Sequence, residues 1–130
     1  MTWHDWALIA AGAIGSGVAI VHGLLVQRLM VRPFQEMARA DGRLPGGVRR
    51  LVPLLLHFST AAWFLGGLAL IGAAIGFGRE ARVTTIVFVG SFYLFAAAGN
   101  AWATRGRHPG WMLMAVAVAL IVFGVIKSGN

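Results

Sequence analysis

Four stretches of the chain contain no Asp, Glu, Lys or Arg: residues 6–26, 51–77, 83–103 and 111–126. Each approaches the ~20 apolar residues that a helix needs to cross a ~30 Å hydrocarbon core. Their apolar character is continuous, without the alternation of a membrane barrel strand. A helix satisfies its own backbone polar groups, which lipid demands. The runs therefore predict an all-α integral membrane protein: one transmembrane domain, 1–130, of four helices. A soluble alternative fails on charge. Only 12% of the 130 residues are charged, about half the share of soluble domains, and so small a domain has a large surface to keep wet.

The first run is read as a mature helix. The residues ahead of it, "MTWHDW", carry no Lys or Arg and include Asp5, whereas a secretory signal has a basic start. Cysteine is absent, which excludes disulfides, thiolate metal sites, iron–sulfur clusters and cysteine nucleophiles.

The net charge of +7 orients the chain. Six basic residues (Arg28, Arg32, Arg39, Arg43, Arg49 and Arg50) lie between the first two runs, and Arg105 and Arg107 lie between the last two. The other side holds Arg79, Arg82 and Lys127. Eight against three is a positive-inside bias. It predicts an up-down-up-down bundle with both termini on the non-cytoplasmic side. The arginines then meet anionic lipid headgroups, and no nucleic-acid partner is needed to explain them. Trp3, Trp6, Trp102 and Trp111 fall near span ends, where indole favours the interface.

Residues 27–50 read as a cytoplasmic basic loop. Pro33 is expected to interrupt the first helix, and "LPGG" signals a turn. Phe34, Met37 and Ala38 share one side of a possible short interfacial helix; an irregular loop is the alternative.

Polar residues inside the spans concentrate near the cytoplasmic end. His22 lies six residues before Arg28, and His57 six residues after Leu51. At ~1.5 Å per residue each imidazole is about 9 Å inward of its anchor. Asn100, five residues before Arg105, is at a similar level. Tyr93 shares the face of Asn100, and Thr60 that of His57. Polar groups at membrane depth usually face the bundle interior and mark function. The expectation is one pocket lined by His22, His57, Asn100, Tyr93 and Thr60. The competing expectation is that these groups only bond one another between helices.

Two imidazoles can ligate a metal or hold a haem iron from both faces, so His22 and His57 are the candidate metal ligands, with haem b or copper as possible cofactors. Arg28, Arg50 and Arg105 would form an anion or propionate rim. Met30, Met112 and Met114 offer thioethers, although methionine at helical spacing usually packs. The leading function is thus a membrane protein binding a metal, haem or other small ligand near the cytoplasmic face. The alternatives are a homo-oligomeric ion or proton conduit, and an accessory or assembly subunit of a membrane complex. Small residues at Gly15, Ala19 and Gly23, and at Ala62 and Gly66, allow close helix approach, within the bundle or between subunits. Hydrolytic chemistry is disfavoured. The four acids are scattered, and Ser59 points about 200° away from His57 on a helix.

The stretch "LLLHFSTAAWFLGGLAL" resembles the helix of copper-resistance D-type membrane domains, where a histidine precedes a tryptophan and paired glycines. Here these are His57, Trp63, Gly66 and Gly67. The resemblance covers about 17 residues of the second helix. It implies a multi-pass protein of the bacterial inner membrane whose histidine handles metal or haem.

Overall fold

The computed structural model describes residues 1–125. They form four helices and no strand: α1 (Trp3–Ala40), α2 (Gly46–Ile75), α3 (Arg79–Ala103) and α4 (Gly110–Val125). The first three are long and apolar enough to cross a membrane. The expected end of the fourth helix, residue 126, lies outside the described residues, as does Lys127.

The exterior is as apolar as the interior. Leu54 is 70% exposed, Phe95 79% and Phe58 67%. Apolar surface on this scale does not persist in water. In lipid it is the solvated face. The core is thin and made largely of small side chains, with Tyr93, Leu8, Leu70, Met114 and Val31 its largest fully buried members. α1 packs most extensively on α2 and then on α4; α3 joins α4 and, more loosely, α2.

The basic segment 27–50 is not a loop. α1 runs through Pro33 to Ala40, so only residues 41–45 separate it from α2. Proline lacks an N–H, and its ring collides with the carbonyl four residues back. The chain answers this by widening into a π-helical turn at Gln27–Val31, immediately before Pro33. There the Arg32 N–H reaches back five residues to the Gln27 carbonyl. Pro33 then occupies the first turn of the renewed α-helix Arg32–Ala40, where proline is tolerated. Of the three residues expected on one apolar side, Ala38 is buried, Phe34 half-buried and Met37 exposed.

The "LPGG" turn is real but shorter than expected: Pro45 caps α2, and both glycines lie inside it. Arg49 holds the turn closed, donating from Nε to the Leu44 carbonyl (3.1 Å) and from Nη2 to the Asp41 carbonyl (2.9 Å). α2 stops at Ile75, two residues early, and α3 begins at Arg79 rather than at 83.

At the other end, the Asp5 carboxylate accepts from the Thr2 N–H (2.7 Å) and Thr2 hydroxyl (2.9 Å), closing the first turn of α1. It also accepts from Arg82 of α3 at 2.6 Å. His4 stacks on Phe123 of α4, its Nδ1 donating to the Phe123 carbonyl at 2.9 Å.

Candidate ligand site

Close backbone approach places the polar residues. Gly12 and Gly67 meet face to face, so that a Cβ on either would strike the other helix's backbone. One turn on, the Ser16 hydroxyl donates to the Phe64 carbonyl (3.2 Å). Gly15 leaves the space that the Tyr93 hydroxyl fills, and Gly23 the space for the Thr60 methyl. Gly66 faces Val89 and Tyr93. The small-residue ridges thus serve packing within the chain.

His22 and His57 are both drawn into the α1–α2 seam, each with a different partner. His22 Nε2 lies 3.1 Å from Ser59 Oγ. The Ser59 hydroxyl also lies 3.5 Å from the Leu56 carbonyl, and the imidazole tautomer decides which of His22 Nε2 and Ser59 Oγ donates. The His22 ring also rests on Trp63, with centroids 4.4 Å apart and planes tilted by 41°. His57 Nε2 donates to Gln27 Oε1 at 2.9 Å, tying α2 to the π-helical turn. Tyr93 is fully buried and donates to the Trp63 carbonyl (2.9 Å), a core role. Thr60 Oγ1 is buried with no hydrogen-bond partner among the described residues.

A crevice of about 360 Å³ opens between α1 and α4. Ala13, Gly17 and Val21 form one wall, Leu113 and Met114 the other, and Trp63 the back. Three polar side chains line it: His22, Asn100 and His108. A second crevice of about 390 Å³ lies between α2 and α3, and His22, Trp63 and Asn100 separate the two. Of the sequence-expected site residues, then, His22 and Asn100 come together. His57, Thr60, Tyr93, Arg28, Arg50 and Arg105 line neither crevice.

The third polar group, His108, did not stand out in the sequence. It sits in the turn "TRGRHPG", built by a helix-ending motif in which Gly106 N–H bonds to the Ala101 carbonyl (2.8 Å) and Arg105 N–H to the Trp102 carbonyl (3.2 Å). Arg105 takes the left-handed position, at φ 51°, that glycine usually holds. The turn folds back against Asn100's end of α3, where Trp111 Nε1 donates to the Gly106 carbonyl (3.1 Å). The Gly110 N–H donates to His108 Nδ1 at 3.0 Å. A backbone N–H can only donate, so Nδ1 is unprotonated and the ring's proton is on Nε2. The signal available in the sequence was position: a histidine joined to α4 at the level of Asn100.

No family model, curated protein or solved structure matches this chain. The residues that carry the resemblance to copper-resistance D-type domains have local explanations here. Gly67 lets α1 approach, Gly66 meets α3, Trp63 backs the crevice, and His57 holds Gln27.

Chemically the crevice offers hydrogen bonds. One Asn100 N–H is used on the Ala96 carbonyl (2.8 Å), leaving a second N–H and the amide oxygen. His22 Nδ1 makes no hydrogen bond among the described residues. No cluster of three or more His, Cys, Asp or Glu able to hold a metal occurs among them. A metal-bound histidine normally donates its other ring N–H. His108 does the reverse, because its other nitrogen accepts.

Proposed function

We propose that the chain is a multi-pass protein of the bacterial cytoplasmic membrane that binds a small ligand in the crevice between α1 and α4. The observation that carries this reading is the convergence of His22, Asn100 and His108 at one otherwise apolar cavity of about 360 Å³. Small-molecule sites are typically apolar clefts of ~300–1,000 Å³ with a few convergent polar groups. The proposed topology is up-down-up-down with both termini outside. It is supported by the eight basic residues around the α1–α2 and α3–α4 connections. It is also supported by contacts that run in opposite order along α1 and α2, from Gly12–Gly67 to His22–Ser59. The exposed arginines of the hairpin then meet anionic headgroups. Metal or haem at His22 and His57 is the less favoured form of the reading, because only His22 lines the crevice and no cluster of three or more His, Cys, Asp or Glu able to hold a metal occurs among the described residues.

The test is native mass spectrometry of protein extracted from its membrane in polymer-bounded bilayer particles. A Cβ at Gly17 would meet nothing within 4 Å, so Gly17→Leu fills the crevice without disturbing the bundle. The expected result is a bound small molecule on the wild type that the variant lacks. Equal spectra for the two proteins would overturn the proposal.

A further inference from the structure

If the crevice binds a small ligand, as proposed, its lining also selects the chemical class of that ligand. The lining contains no Asp, Glu, Lys or Arg. Arg105 and Arg107 are close in sequence to His108 but are exposed and do not line it. A ligand with a formal charge would lose its hydration there without gaining an opposite charge, a costly exchange. An uncharged head is favoured.

The polar end selects further. His108 presents Nε2–H, because Gly110 N–H already occupies Nδ1. Asn100 has one N–H to spare after bonding Ala96. These are two neutral donors on one cavity, which an acceptor oxygen satisfies; the Asn100 amide oxygen and His22 Nδ1 on the same cavity leave room for a hydroxyl beside it. A metal ion needs several lone pairs; His108 has none free at Nε2, His22 Nδ1 would be a single imidazole ligand, and no cluster of three or more metal-binding side chains occurs among the described residues.

The remaining wall is a trough. On α1 it runs from Ala13 to Leu25, twelve steps of ~1.5 Å, or about 18 Å along the helix. Its outer edges are open to the lipid side: Val21 is 56% exposed and Leu113 48%. A ligand dissolved in the bilayer can therefore enter sideways and lay an apolar tail along α1.

We infer that the crevice binds an uncharged, carbonyl-headed amphiphile, its oxygen accepting from His108 Nε2–H and Asn100 and its tail lying between α1 and α4. A long-tailed quinone and an acylglycerol both present this chemistry.

The test titrates delipidated protein in detergent with four probes: decyl-benzoquinone, dioctanoylglycerol, dodecanoate and haemin. Binding is read by calorimetry. Saturable binding is expected for the quinone or the acylglycerol, and which one binds identifies the source. Dodecanoate and haemin should bind at least tenfold more weakly. His108→Ala, in an exposed turn, should weaken binding about tenfold, the loss of one net hydrogen bond of about 1.4 kcal/mol. Gly17→Leu should abolish it. Circular dichroism and thermal unfolding check that both variants fold. If dodecanoate or haemin binds most tightly and Gly17→Leu blocks it, the binding reading stands and the carbonyl assignment falls. If no probe binds, or Gly17→Leu changes nothing, both fall.

Discussion

Gly67→Ala should force α1 and α2 apart, and the size of the effect follows from geometry. A Cβ at Gly67 would lie 2.5 Å from the Gly12 carbonyl oxygen and 2.9 Å from Ser16 N, besides striking Ser16 Oγ. Ordinary contact begins at 3.4 Å, so Gly12 must retreat by 3.4 − 2.5, about 0.9 Å. The obstacle is backbone, and no rotamer change relieves it. A gap of this size removes about a quarter to a half of each dispersion contact it opens. If about 40 atom pairs are affected, as many as one buried leucine makes, each losing about 0.05 kcal/mol, the loss is about 2 kcal/mol. Alanine's helix preference over glycine returns up to about 1 kcal/mol. The net expectation is a destabilisation of about 1–2 kcal/mol. Gly17→Ala is the control: it gains the same preference and meets nothing within 4 Å. Reversible unfolding by SDS titration in mixed micelles, followed by far-UV circular dichroism, measures both. Equal stabilities for the two variants would refute the claim that α1 and α2 touch backbone to backbone.

Three further outcomes are expected. Arg105→Gly relieves a side chain held at φ 51° and should raise stability by about 0.5–1 kcal/mol in the same assay, with ligand binding unchanged. A double-mutant cycle on His57 and Gln27 should give a coupling near the ~0.6 kcal/mol typical of intramembrane hydrogen bonds. Neither single variant should alter binding in the α1–α4 crevice, which their residues do not line. Arg49→Ala removes both hydrogen bonds that close the 41–45 turn, and should speed amide hydrogen exchange at the hairpin tip while leaving the transmembrane spans protected.

The helix count was legible in the sequence, because lipid imposes length and apolarity on each span. His22 and His57 do lie in one region of the α1–α2 seam, as their equal distances from the basic anchors implied. Direction around the helix axis was not legible. It is set by where Gly12 and Gly67 let the backbones meet, and that contact turns His22 toward Ser59 and His57 toward Gln27. Pro33 misled for a local reason: a π-helical turn absorbs a residue that otherwise ends a helix, and no composition signal announces it. Tyr93 shares a helical face with Asn100, but the hole above Gly15 claims its hydroxyl for the core. His108 went unnoticed because the turn that folds it back depends on a left-handed Arg105, a position where sequence leads one to expect glycine.

The most direct test of the site is nitrogen-15 NMR of the protein in lipid, with histidine and asparagine side chains labelled and spectra taken with and without the ligand recovered from the membrane. A ligand seated between α1 and α4 requires an unprotonated Nδ1 on His108, and movement of the His22, Asn100 and His108 resonances on binding while those of His57 stay still. Movement of His22 together with His57, with His108 unaffected, would contradict it and return the site to the histidine pair suggested by depth alone.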